Sequence, residues 1–476
     1  MIPTISKAAA LNNTISTAVL FEDLSQLSNL NLNEAETTHL KKHFEKETSC
    51  TIHHFPNLLF LEKIKPEKQN YLEVEAARKA GSNLFDALKA LKSNTVQLIN
   101  YGKPELMPAF LEGLLLSSYT FDKYKKEKET FFLEEVLVSD TTTSEEQIAE
   151  IANLCKAVFV ARDLVNEPLS FLTATQFSKE FEKLSNESGF TLEVFNKQKI
   201  ETLKMGGLLA VNKGSIDPPT FNILEWKPDN ASNSAPIVLV GKGIVFDTGG
   251  LSLKPTANSM DYMKCDMAGG AVVATTVYAA ALNKLPLHII ALVPATDNRP
   301  DGNAYVPGDV ITMYDGTTVE IKNTDAEGRL ILADALSYAK KYKPQLVVDY
   351  ATLTGAAVMV AGAHAAVAMG NTDEHMQTMK ETGFETYERI IEVPLWEEYA
   401  KPLKSQIADL NNLGVREAQS TIAGKFLEHF TDYNWIHIDS ADTPFFKEKS
   451  NYLPAGGTGY GTRLLFNFLK KLSGSN

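Results

Sequence analysis

Between residues 190 and 350 the chain carries five short runs rich in Val, Ile and Leu, at 192–195, 221–226, 237–240, 288–293 and 346–350. A strand with one wet face alternates apolar and polar residues. A run that stays apolar reads as a strand covered on both faces. Helical segments separate most of these runs, among them Ala268–Leu282 and 330–342, and a polar loop at 229–235 sits between two of them. This pattern predicts an α/β unit: a central sheet flanked by helices.

The first part alternates strand and helix signals more weakly. Residues 51–61 (TIHHFPNLLFL) read as a strand or strand pair. Residues 71–91 read as a helix broken at Gly81-Ser82, 95–100 as a strand and 107–118 as a helix. The run KYKKEK at 124–129 reads as a solvated hairpin or helix face. After a turn-like DTTTS at 140–144, a long helix is expected over 144–166, with Ile148, Ile151, Leu154, Val158, Ala161 and Val165 on its apolar positions. At about 150 residues per domain, 476 residues allow two or three domains. The expected division is a small α/β domain over 1–153 and a larger one over 154–476.

Charge and composition narrow the function classes. Lys+Arg is 46 and Asp+Glu 59, for a net charge of −13, which argues against a general nucleic-acid or anionic-membrane binder. No run of 18 apolar residues predicts a membrane-spanning helix, and the N-terminus has no unbroken apolar core of a secretory signal. The sequons at Asn12, Asn186 and Asn230 are then accidental. Three cysteines, Cys50, Cys155 and Cys265, make no disulfide framework and suit a reducing, cytoplasmic compartment. With nine histidines, no His-Glu-x-x-His and no Cys-x-x-Cys, any bound metal is expected to be held mostly by carboxylates.

Four stretches carry chemistry. IVLVGKGIVFDTGGLSLK at 237–254 runs from a strand into a glycine-rich turn with Lys242, Asp247 and Lys254. It matches neither phosphate-loop fingerprint, and by itself Lys242 reads as a surface lysine. MDYMKCDMAGG at 260–270 holds Asp266 before a helix, where an N-cap is the simplest reading, and Cys265, which reads as a small core residue. IKNTDAEGRLIL at 321–332 sets Asp325 and Glu327 two apart, on one side of an extended backbone. Two carboxylates in an apolar neighbourhood need compensation from Arg329, a lysine or metal ions. YATLTGAAVMVAG at 350–362 follows a strand with small residues, which suits either a bound molecule or close helix–sheet packing. Carboxylates at 247, 266, 325 and 327 and ammonium groups at 242 and 254 fit hydrolysis assisted by oxygen-ligated divalent cations.

The chain resembles the M17 leucyl aminopeptidase family through NTDAEGRL at 323–330, supported by VGKGIVFDTGGLSLK, MKCDMAGGA, ATLTGA, PGDV, ARDLVNEP, KMGGLLAVNKGS and PAGGTGYGTRLL. The resemblance covers about residues 155–470. It implies a metal-dependent aminopeptidase that prefers Leu and other apolar N-terminal residues. It implies Lys242, Asp247, Asp266, Asp325 and Glu327 as ligands of two divalent cations, Zn or Mn, with Mg or Co as alternatives. Asp247 and Glu327 would bridge the ions. Lys254 would polarise the substrate carbonyl, and Arg329 would hold a bicarbonate acting as general base. Met263, Thr352, Leu353, Thr354 and Gly355 match positions lining the pocket for the first side chain. The family fold is a small N-terminal α/β domain, serving assembly or regulation, and a larger catalytic domain with a mixed sheet. Its implied assembly is a cytoplasmic homohexamer, a dimer of trimers, acting on peptides without membrane or nucleic-acid partners. Several stretches depart from the family pattern: the loop 254–266 is one residue longer, Ser170 stands where Asn is common, and residues 417–426 read EAQSTIAGKF where two glycines are usual. Other classes compatible with the fold are a non-catalytic hexamer, a DNA-binding second role, and an amidase or dipeptidase sharing the site.

Overall fold

The structure is a computed structural model. It describes every residue except 1, 9–11, 13, 31, 55, 130–131 and 475–476. Phe55 of the 51–61 run and residues 9–11 and 13 of the N-terminal stretch lie outside the described residues. The chain forms two compact units: Met1–Phe159 with Glu448–Ala455, and Val160–Lys447 with Gly456–Asn476.

The first unit holds a six-stranded sheet. Its order is Thr4–Lys7, Glu135–Val138, Thr95–Asn100, Ser16–Phe21, Asn57–Lys63 and Ser49–His54. The first five run parallel, and the edge strand Ser49–His54 is antiparallel to its neighbour. The 51–61 run is thus a strand pair. The expected break at Gly81-Ser82 does not occur: one helix runs Asn70–Leu91. Gly81 is there for proximity, because a Cβ on it would meet Phe110 O at 2.2 Å, and one on Gly113 would meet Arg78 O at 1.9 Å. The two glycines let Asn70–Leu91 and Leu106–Ser117 pack backbone to backbone, with Leu84, Leu88, Phe110 and Leu114 fully buried. Residues 124–129 form exposed turns and bends, neither hairpin nor helix.

The second unit is built on a nine-stranded mixed sheet. Eight strands run in the order Ile390–Glu392, Ala366–Gly370, Trp435–Asp439, Leu346–Ala351, Ile237–Gly241, Ile289–Asn298, Thr220–Trp226 and Thr191–Phe195, and Gly243–Asp247 also pairs with Ile289–Asn298. The expected α/β class, a small N-terminal unit and a larger one with a central mixed sheet, is the one observed. All five predicted strands are present, and Leu346–Ala351 and Ile289–Asn298 are buried along their whole length. Helices Ala268–Leu282 and Gly328–Ala339 cover the sheet and are buried on every side except at Leu282. The helical segment Met260–Leu282 is long and apolar enough by composition to cross a membrane, but 94% of its apolar window is buried inside this fold, as in a core helix.

Candidate active site

Three parallel strands in the middle of the second sheet, Ile237–Gly241, Leu346–Ala351 and Trp435–Asp439, bring their carboxyl ends to one edge. Lys242 follows the first, Thr352 follows the second, and Asp439 closes the third. The crevice beyond such strand ends is where open α/β sheets bind ligands.

At Lys242 the chain turns. Its N–H donates to Tyr350 O at 3.2 Å, and its carbonyl accepts from Gly270 N–H at 2.7 Å. Strand Gly243–Asp247 then runs along Ile289–Asn298 and sets Asp247 opposite Asn298. Asn298 Nδ2 donates to Asp247 Oδ1 at 2.8 Å and to Thr324 O at 2.9 Å. Asp247 Oδ1 also accepts from Gly249 N–H at 2.8 Å. Gly249 has φ +83°, and a Cβ there would come within 2.9 Å of Asp325 Oδ1. The glycine turn therefore brings the Asp247 and Asp325 segments together.

Asp266 does not cap the helix after it. The residue before Ala268–Leu282 is Met267, with no side-chain cap, while Asp266 Oδ1 accepts from Thr352 Oγ1 at 2.7 Å. Glu327 likewise precedes Gly328–Ala339 without capping it. Both carboxylates are turned to Lys242, whose Nζ lies 2.9 Å from Asp266 Oδ2 and 2.8 Å from Glu327 Oε1 and donates to Thr352 O at 2.9 Å. Lys254 bridges the other pair, at 2.9 Å from Asp247 Oδ2 and 2.6 Å from Asp325 Oδ1. Asp247, Asp325 and Glu327 each offer an oxygen within 4.8 Å of the others.

Four carboxylates and two ammonium groups leave a buried surplus of negative charge. Burial, and after it the charges of Asp247 and Glu327, pushes the Asp325 carboxyl up to about 7, with Lys254 working the other way. Burial likewise raises Asp247 and Asp266. At Glu327 burial pushes upward, but Lys242 and Lys254 outweigh it and hold the group below its ordinary value. At Lys242 and Lys254 burial pulls down, and the surrounding carboxylates override it upward. Glu327 Oε2 is buried with no hydrogen-bond partner, and Asp266 Oδ2 and Asp325 Oδ1 are touched only by lysine nitrogens. Buried anionic oxygens left unpaired are costly, and divalent cations would satisfy them. The donor set thus fits metal ions.

Arg329 sits in the first turn of Gly328–Ala339, 3% exposed, and its Nε has no partner. Burial pulls its pKa down to about 10 against the charges of Glu327 and Asp439. Asp439 pins the loop after Leu346–Ala351: it accepts from Leu353 N–H at 3.0 Å, Thr354 N–H at 3.1 Å, Thr354 Oγ1 at 2.6 Å and Ser420 Oγ at 2.8 Å. The geometry thus gathers Lys242, Asp247, Lys254, Asp266, Asp325 and Glu327 in direct contact and ties Thr352 and Thr354 to carboxylates. Met263 and Leu353 are half-buried and Gly355 is exposed.

Sequence reasoning missed Asn298 and Asp439. Each is a buried polar residue ending a mostly apolar strand, and that position is the signal that marks them.

A model of the cytosol aminopeptidase family, catalytic domain, matches residues 159–466. A probable cytosol aminopeptidase of Chlorobium phaeobacteroides (strain DSM 266 / SMG 266 / 2430) is 46% identical over 384 residues, 77% of this chain and 75% of that protein. Among solved structures, the bottromycin maturation enzyme BotP in complex with Mn is 29% identical with a TM-score of 0.85, covering 96% of this chain and 99% of that one. A tomato leucine aminopeptidase mutant has the same fold at a TM-score of 0.87 and 23% identity, covering 98% and 96%. The chain belongs to the cytosol aminopeptidase (M17) family and is a metal-dependent exopeptidase of that family.

Proposed function

We propose that the carboxylate–lysine cluster is the active centre of an aminopeptidase that removes Leu and other apolar residues from peptide N-termini. The observation that carries this reading is the set of buried Asp247, Asp266 and Glu327 and half-buried Asp325 around two lysines, with Glu327 Oε2 unpaired. Lys242 and the four carboxylates would hold two divalent cations, Zn or Mn, with Mg or Co as alternatives. When bound, such a pair polarises a substrate carbonyl and makes water a nucleophile near neutral pH.

The chain's own groups have separable tasks. To ligate, Lys242 would have to shed its proton and give up its ion pairs with Asp266 and Glu327. Lys254, half-buried and paired with Asp247 and Asp325, is assigned to turn to a developing oxyanion, where a low-dielectric ammonium is worth most. Arg329, buried with an open Nε, is assigned the bicarbonate that supplies a general base. Met263, Thr352, Leu353, Thr354 and Gly355 are assigned the pocket for the first side chain, and the bonds from Thr352 to Asp266 and from Thr354 to Asp439 hold that loop still.

The same proposal places the enzyme in the cytoplasm as a homohexamer, with the first unit serving assembly or regulation. The exposed apolar side chains Met359, Trp396 and Ile407 support self-association, which light scattering tests. The catalytic test is hydrolysis of a leucyl amide by Glu327→Ala and Asp325→Ala. The expected result is folded protein without activity. Full activity in both variants would overturn the assignment.

A further inference from the structure

The expectation that carboxylates hold most of any bound metal leaves room for other donors, and the first unit gathers a set of them. In the first unit, helix Glu34–His43 lies along the edge strand Ser49–His54. Leu40 and Phe44 enter the core beside Cys50. Glu36 Oε1 meets His54 Nε2 at 2.8 Å near one end of the strand, and His43 Nε2 meets Ser49 O at 2.7 Å at the other. His39 and His43 are four residues apart, so they share one helix face, and their rings stack at 5.5 Å. Each of His39, His43 and Cys50 places a nitrogen or sulfur within 4.8 Å of the other two.

We propose that His39, His43 and Cys50 form a third metal site, separate from the carboxylate centre, for a borderline divalent cation such as Zn2+. The donor chemistry selects that class, since imidazole and thiolate suit zinc whereas the carboxylates suit harder ions. The second support is the orientation of His43. A carbonyl only accepts, so His43 Nε2 donates to Ser49 O, and in the neutral ring that leaves Nδ1 as the nitrogen with a lone pair. A ligating histidine whose other nitrogen is tied to a backbone carbonyl is the usual outer-shell arrangement of metal sites. Donor atoms around tetrahedral zinc stand roughly 3.3–3.8 Å apart. With every separation at or below 4.8 Å, the cluster need contract by no more than roughly 1–1.5 Å, and His39, exposed on the helix surface, has the freedom to supply this by rotating its ring.

Burial runs in order across the three. His39 is exposed, His43 half-buried and Cys50 buried. With His39 exposed, water can reach the cluster and would complete the coordination of a bound ion. Burial pushes the Cys50 thiol above its ordinary value, and a cation that binds there displaces the thiol proton to solvent. The bound ion would tie the helix to the edge strand and so stabilise the unit it sits in.

The test uses the full chain, stripped of metal and titrated with Co2+ beyond the two equivalents assigned to the carboxylate centre. The expected signature is a near-ultraviolet thiolate-to-cobalt charge-transfer band, abolished by Cys50→Ala and weakened by His39→Ala. With Zn2+, the wild type should hold one more equivalent per chain than the His39→Ala/His43→Ala variant. Leucyl-amide hydrolysis by His39→Ala at saturating metal should equal that of the wild type. Absence of the band, its persistence in Cys50→Ala, or equal zinc content in wild type and double variant would overturn the site. If Cys50→Ala fails to fold, the exposed His39→Ala position decides through the same band and zinc count.

Discussion

Lys242 Nζ lies 2.8 Å from Glu327 Oε1, and the next residue, Gly328, makes this contact possible: a Cβ on it would stand 2.8 Å from the same nitrogen. The glycine of the DAEGR segment is therefore a requirement of the cluster rather than of the helix it opens. Gly328→Ala should push Lys242 off Glu327. We expect a loss of metal content and at least about a 100-fold fall in leucyl-amide hydrolysis, at a stability cost of about 1–3 kcal/mol. Metal analysis with a thermal melt checks this, and unchanged metal content would show that Lys242 accommodates the methyl group elsewhere.

Asn298 holds Asp247 from behind while also donating to Thr324 O. Its removal leaves the carboxylate present but loosely aimed. Asn298→Ala should weaken metal affinity by about 10–100-fold, the usual effect of losing an outer-shell partner. Competition with a coloured chelator measures it.

Asp325 gives a pH dependence with a defined sign. Its folded-state pKa is raised from 3.8 to about 7, so the metal-free fold holds the proton more tightly than the unfolded chain does. The unfolded chain binds fewer protons between those values, so the contribution of Asp325 to metal-free stability is greatest below about pH 4 and is lost as pH rises through about 7. Metal binding should therefore release a proton from Asp325 at pH 6 but none from it at pH 8.5. Calorimetry in buffers of different ionisation enthalpy reads that difference.

In the first unit, Gly81→Ala should destabilise without touching chemistry. Its Cβ would stand 2.2 Å from Phe110 O, a backbone atom that cannot rotate away. The helices must separate, at about 1–3 kcal/mol. Thermal unfolding shows the cost, and an unaltered transition would mean the helices already have slack.

The parts of the fold legible in the sequence are those where one physical signal dominates. The apolar runs that became Ile237–Gly241, Ile289–Asn298 and Leu346–Ala351 could satisfy themselves only in a doubly covered sheet. Trp435–Asp439 was not among the predicted strands because His437 and Asp439 interrupt its apolar pattern. Those polar groups are satisfied by partners remote in sequence: His437 Nδ1 and Trp435 Nε1 both meet the buried Asp349, each at 2.6 Å. Gly81 read as a breaker because a glycine in a helical pattern costs stability unless another backbone needs the space, and that backbone, at Phe110, is 29 residues on. Within the site, residue types at 247, 266, 325 and 327 announced a charge problem. Which lysine answers which carboxylate depended on strand register and was not visible. Asp266 shows the limit well: locally it is an N-cap, and only the approach of Thr352 and Lys242 turns it away from the helix. His39 and His43 stand four residues apart, a spacing not among the predicted site features, and Cys50 joins them only because the chain folds back as an edge strand.

Hydrolysis is expected to depend on the carboxylate–lysine cluster as a metal centre. The direct measurement is leucyl-amide hydrolysis by chelator-stripped protein as Mn2+ is added back, with the Glu327→Ala variant alongside. The stripped protein should be inactive, recovery should level off near two Mn2+ per chain, and the variant should not recover. Undiminished hydrolysis after complete stripping, or recovery in Glu327→Ala equal to that of the wild type, would contradict that dependence.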